Sequence, residues 1–169
     1  MGGIVGGGLS TGPENDIRPT KDTLKLWLRT LSFTSMVEQR VRSRLHADFG
    51  VTLPRFEVMA ALYDAPEGLS MSEISCWLKV SNGNVTGLVE RLDREALVRR
   101  RNNPDDRCSQ LVRLTDVGRT TFEEMAEAHE GWIASMLSGL SEEEVEQLKY
   151  LLGKAKKSVV NSDGKEEYR

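Results

Sequence analysis

The stretch from Ser81 to Leu114 constrains this chain more than any other. It opens Ser81-Asn82-Gly83-Asn84-Val85-Thr86-Gly87-Leu88-Val89-Glu90-Arg91-Leu92. Val85, Leu88, Val89 and Leu92 fall at i, i+3, i+4 and i+7, which is one apolar face of a helix. The opposite face carries Asn84, Gly87, Arg91 and Arg94, all small or polar. Gly83 and Gly87 each cost a helix about 1 kcal/mol relative to alanine, a penalty that close approach of the backbone to a large partner would offset. Next come Arg99-Arg100-Arg101, a turn at Asn102-Asn103-Pro104-Asp105-Asp106, Arg107, and a returning strand at Leu111-Val112-Arg113-Leu114. A helix with a polar tip followed by a basic two-stranded hairpin is what a winged helix-turn-helix needs to enter a major groove and brush the adjacent minor groove.

A net charge of −3 argues, taken alone, against a nucleic-acid partner. The distribution of that charge points the other way. Lys79 to Arg113 holds eight Lys/Arg against five Asp/Glu, whereas Leu114 to the C-terminus holds seven against twelve. Positive charge is concentrated where the groove-reading element falls. The local excess is modest, so tight binding calls for two copies. Two cysteines, Cys76 and Cys108, give neither a disulfide framework nor a CxxC pair, so a reducing, cytoplasmic setting is expected. There is no run of 18 apolar residues, no signal-peptide pattern, and Gly6 stands where a myristoylation motif requires Ser or Thr.

In chain order, residues 1–18 are glycine-rich and read as a flexible tail. Pro19-Thr20 opens a long first helix, with Thr20 as cap and Leu24, Trp27, Leu28, Leu31, Val41, Leu45 and Phe49 in helical rhythm. Such length exceeds what a single wing domain needs and points to an element shared between subunits. Gly50 stops it. Pro54 begins a second helix, whose apolar side is Phe56, Met59, Ala60, Leu62 and Tyr63. Ser70-x-x-Glu73 is a capping box for a third helix with Ile74, Trp77 and Leu78 as core, and Ser81 caps the fourth. Asp116 and Gly118 mark the entry to a fifth helix reaching about Leu137, with Phe122, Met125, His129, Trp132 and Met136 near one face. Ser141-x-x-Glu144 opens a sixth, in which Val145, Leu148, Leu152, Ala155 and Val159 form a heptad seam. The simplest partner for that seam is a second copy of the chain.

The expected fold is mainly α with a small β-hairpin wing: about six helices, a winged helix-turn-helix over about 51–115, and dimerisation helices over about 19–49 and 116–160. Residues 161–169 read as a solvated C-terminal tail. Ser81, Asn82, Asn84, Thr86, Arg91, Arg99 and Arg101 are the DNA-contact candidates. Arg40, Arg42 and Arg44 crowd one region of the first helix, as a phosphate-bearing ligand requires. Trp27, Phe33, Tyr63 and Trp132 are candidates to line an aromatic slot, with Phe56 and Met59 beside them, whereas His129 reads on its own as a core histidine beside a packing tryptophan and gains a pocket role only from the family resemblance given below. Two histidines far apart with no cysteine cluster give no zinc-site pattern, so no metal is expected. Cys76 reads as inert core and Cys108 as a more exposed wing residue. Neither a nucleophile elbow, a phosphate loop nor a framed Ser/His/Asp set is present, so no enzyme and no cofactor are expected.

Taken together, Leu69-Ser70-x-x-Glu73-Ile74, Val80-Ser81-x-Gly83-Asn84-Val85-Thr86-x-Leu88-Val89-x-Arg91-Leu92, and Asp106-Arg107 leading to Val112-x-Leu114-Thr115-x-x-Gly118 resemble the MarR family of bacterial winged-helix regulators. The resemblance spans about Thr20 to Val160. It implies a homodimer on a pseudo-palindromic DNA operator, with N- and C-terminal helices interlocked and each fourth helix reading one half-site. It also implies that Arg107 is the wing arginine, positioned by Asp106. Asn103 stands where aspartate is frequent, and Cys108 where a second arginine is frequent. Within the family, Leu53-Pro54-Arg55-Phe56, Gly83-Asn84-Val85-Thr86-Gly87 and His129-Glu130-x-Trp132 are similar to regulators that answer to hydroxycinnamoyl-CoA thioesters. The implied function is a repressor released by a small aromatic acid or its CoA thioester. The rival reading is a winged-helix protein-interaction module whose basic wing meets an acidic protein.

Overall fold

A computed structural model describes residues 21–79, 82–103 and 110–166. Two compact units divide the chain at Met36. The described part of the first, 21–36, is the opening half of helix α1 (Lys21–Phe49). Leu24, Trp27, Leu28, Leu31, Phe33 and Met36 are all exposed there.

The second unit begins within α1 at Val37. Val41 and Leu45 are buried, one helical turn apart, and anchor this half of α1 in the core. The helix ends at Gly50, where φ is +64°, a left-handed conformation that costs glycine nothing. The Gly50 and Val51 amides then donate to the His46 and Leu45 carbonyls. Helix α2 (Leu53–Tyr63) starts with Pro54 in its first turn and buries Phe56, Met59 and Leu62. Strand β1 (Leu69–Ser70) precedes α3 (Met71–Leu78), whose capping box between Ser70 and Glu73 is present as expected. Those hydrogen bonds also hold the Glu73 carboxyl below the usual range.

Lys79, at φ 55°, closes α3 and turns the chain toward α4 (Asn82–Arg94). Val85, Val89 and Leu92 of α4 are fully buried and Leu88 partly so, the apolar face read from their spacing. Strands β2 (Val98–Asn102) and β3 (Gln110–Leu114) form the antiparallel hairpin, with Arg100 opposite Val112. Two more helices follow, α5 (Asp116–Met136) and α6 (Glu142–Glu166). The described chain is thus mainly helical with one small sheet.

Several expectations need correction. The sheet has three strands in the order β1-β3-β2, because Leu69 and Ser70 pair with Val112 and Leu111. Trp77 is not core: it is 50% exposed, and Leu78 takes the inward position on the last turn of α3. Cys76 is exposed rather than embedded, since Ile74 is the residue through which this short helix reaches the core. Helix α6 runs to Glu166, past the point where a tail was expected to begin. The Ser141–Glu144 box does cap its start, and the seam residues Leu148, Leu152 and Val159 are exposed in the single chain. The glycine-rich segment, the Thr20 and Ser81 caps, Asp106, Arg107 and Cys108 all lie outside the described residues.

The turn from α4 to β2 gathers the unit together. Ala96 adopts φ 58°, unusual for a residue with a Cβ. Its amide donates to the Asp93 carbonyl, and Leu97 donates to Leu92. Thr115 caps α5 by accepting from the Gly118 amide at 2.9 Å, while its hydroxyl donates to the Ala96 carbonyl at 2.7 Å. Asp116 and Gly118 mark this entry as expected, but the cap itself is Thr115.

Candidate nucleic-acid interface

Burial of Val85, Val89 and Leu92 fixes the rotation of α4 and turns Asn84, Thr86, Gly87, Arg91 and Arg94 to solvent. Asn82 is the first residue of the helix. A Cβ added at Gly83 or Gly87 would meet nothing within 4 Å, so no internal contact demands glycine at either site. Gly87→Ala is therefore expected to stabilise the free protein by up to about 1 kcal/mol. If the glycines exist to admit a partner, the same change weakens DNA binding. Thermal melts and gel shifts on one preparation check both signs.

The arginine run divides by role. Arg99 is exposed, and its register partner on β3 is Arg113. Like charges directly opposite on adjacent strands destabilise a sheet by a fraction of about 1 kcal/mol, a cost that a polyanion lying across them removes. Neither forms an ion pair among the described residues. Arg113 was not among the residues singled out from sequence; only the strand register reveals it. Arg100 turns the other way, 3.9 Å from Asp93. Arg101 is tied to Glu67, donating to its backbone carbonyl at 2.6 Å and its carboxylate at 2.9 Å. These bonds tie β2 to the loop before β1 and both use one guanidinium nitrogen.

An open groove of about 560 Å³ flanks α4, where Arg42 and Glu57 face Asn84, Gly87 and Arg91. Arg42 also donates to Glu38 at 3.1 Å. Burial pushes the Glu57 carboxyl above the usual range, Arg42 opposes this, and Glu38 adds to it. The three arginines of α1 have different surroundings. Arg42 serves this groove, Arg44 lies 5.9 Å over the Trp132 ring, and Arg40 is exposed.

The aromatic candidates of the second unit come together, but as a packed ladder. Tyr63 meets Phe122 at 4.9 Å, Phe122 meets Phe56 at 5.3 Å, Phe56 meets His129 at 5.2 Å, and His129 meets Trp132 edge-on at 6.4 Å. These are ordinary core distances for aromatic rings. Met59 is fully buried. Burial lowers the His129 pKa, with Glu130 acting in the opposite sense, which favours the neutral ring. Tyr63 retains a polar edge, donating to Glu123 at 3.0 Å beneath the Arg119 guanidinium. Trp27 and Phe33 belong to the first unit and are exposed within it. Among the described residues no cluster of His, Cys, Asp or Glu has metal-binding geometry, and no helix is long and apolar enough to cross a membrane.

The model of the MarR family matches residues 51–109, which takes in α2 to β2 and ends just before β3. The HTH-type transcriptional regulator PecS of Dickeya dadantii is 30% identical over 152 residues, 89% of each chain. Among solved structures, a MarR family transcriptional regulator from Silicibacter pomeroyi is 34% identical with a TM-score of 0.69, aligned over 82% of this chain and 96% of that one. The S. aureus MepR–DNA complex is 26% identical with a TM-score of 0.64, over 83% and 99%. With this sequence relationship and this winged fold, the chain belongs to the MarR family of DNA-binding transcriptional regulators, a family of regulators and not of enzymes.

Proposed function

We propose that the protein acts as a homodimer on a pseudo-palindromic operator, as a repressor released by a small aromatic acid or its CoA thioester. The observation that carries the DNA-reading part is the exposed stripe of Asn84, Gly87, Arg91 and Arg94 on a helix whose opposite face is packed into the core. In the MepR structure, a relative of the same fold is solved with DNA. Asn84 reads base edges near the start of α4, while Arg91 and the Arg99/Arg113 pair hold phosphates. Arg107 adds the wing contact that the family motif implies.

Dimerisation is supported by apolar residues left exposed on single chains: Leu24, Trp27 and Leu28 on α1, and Leu148, Leu152 and Val159 on α6. Two α4 helices about one DNA repeat apart give a modestly basic protein the affinity that one lacks. The effector class rests on the motif similarity. A ligand that prefers another spacing of the two reading helices releases the operator by that differential affinity alone.

Gel shifts on the region upstream of the protein's own gene, with and without aromatic acids and their CoA esters, test the scheme. Asn84→Ala is expected to lower the preference for a matched over a scrambled operator by about tenfold, the value of one good base contact. Equal losses on both duplexes would exclude base reading at Asn84.

A further inference from the structure

We infer that Arg55 and Glu95 are positioning residues for DNA reading: their ion pair, together with that of Arg100 and Asp93, sets the angle of α4 against the body of the domain. The inference rests on the assignment of α4 as the base-reading helix.

The two carboxylates sit at the tail of that helix. Asp93 is in its last turn and Glu95 is the first residue beyond it. Each is held by a different element. Arg55, in the first turn of α2, donates to Glu95, and Arg100, on β2, reaches Asp93 at 3.9 Å. The Arg55 side chain is only 12% exposed. A guanidinium so far from water is costly unless paired, and an apolar residue of similar volume would serve stability as well or better. Arg55 and Arg100 each also carry a buried Nε with no hydrogen-bond partner, a desolvated donor that lowers stability.

Charge gives a second reason to look beyond stability. Two carboxylates beside a surface that receives a polyanion oppose binding. Their retention is understandable if they fix the geometry of the reading residues. The third reason is the turn itself. Ala96 follows Glu95 in a left-handed conformation that a Cβ-bearing residue rarely adopts. Its carbonyl accepts from Thr115, and Leu97 touches Gly118. The end of α4 is therefore held from α2, from β2 and from the start of α5. A helix clamped at its tail sweeps its other end, where Asn84 lies, through the largest displacement when the clamp loosens.

The test measures dissociation constants for operator and scrambled duplexes, at two salt concentrations, alongside thermal melts. Glu95→Gln is expected to lower the operator-to-scrambled affinity ratio about tenfold while scrambled DNA binds as well as before or better. The double exchange of Arg55→Glu with Glu95→Arg is expected to recover most of the ratio, because it restores the pair in reverse. Tighter binding to both duplexes with an unchanged ratio would mean that Glu95 acts only as a repelling charge, and would overturn the inference. A ratio that falls only in step with the melting temperature, and that the exchange does not recover, would overturn it too. If Glu95→Gln fails to fold, Asp93→Asn interrogates the same clamp through its other carboxylate, with the same outcomes decisive. A wild-type protein with no operator preference would instead remove the reading assignment beneath it.

Discussion

Gly118→Ala is expected to destabilise the domain by about 3 kcal/mol, the upper end of what overpacking costs. A Cβ at this position would lie 1.9 Å from the Leu97 carbonyl oxygen, 2.8 Å from its carbon and 3.1 Å from its Cα. All three are backbone atoms, so no side-chain rotation relieves the clash. Nor is the carbonyl free to move, because it accepts the Thr115 amide at 3.0 Å. For a chain of this size the melting temperature should fall by roughly 6–12 °C. Gly131→Ala is the control. It lies in the same helix with nothing within 4 Å of the added Cβ, so ordinary helix propensity should make it neutral or stabilising. Similar melting temperatures for the two variants would show that α5 does not dock against Leu97 in this way.

Leu152→Asp is expected to convert the protein to a monomer and to weaken operator binding by at least roughly 100-fold, the lower range of what linking two binding modules confers. Leu152 is 46% exposed in the single chain and lies in the α6 seam with Leu148 and Val159. A charge there meets no neighbour within its own domain core, so the winged helix itself should remain intact. Sedimentation velocity reads the oligomeric state, circular dichroism the fold, and a fluorescence titration the affinity. A variant that stays dimeric would place the subunit contact elsewhere than the α6 seam.

Legibility in the sequence followed the range of the interaction. The α4 amphipathic face, the Ser70 capping box and the Gly50 stop are written within one or two helical turns, and each stands where its spacing places it. Trp77 misled because a short helix with adjacent apolar residues does not say which of them faces inward. The tie between Arg101 and Glu67 left no mark in the sequence because the two are 34 positions apart. Strand β1 is two residues long and leaves no periodic trace. The importance of Arg113 depends on a register that places it across from Arg99, and register is a property of the folded sheet. The aromatic residues were rightly grouped in part, yet composition alone does not distinguish rings that line an opening from rings that close on one another, as Phe56, Phe122 and His129 do.

The division of labour within Arg99-Arg100-Arg101 has an ionic consequence. Two of the three guanidinium groups are already neutralised from within the protein, by Asp93 and Glu67. They hold few loosely condensed ions to give up, and they displace few from the duplex. The steepness with which rising electrolyte weakens the complex is accordingly expected to reflect Arg99 and Arg113, with Arg91 and Arg107, more than the count of basic residues in the sequence.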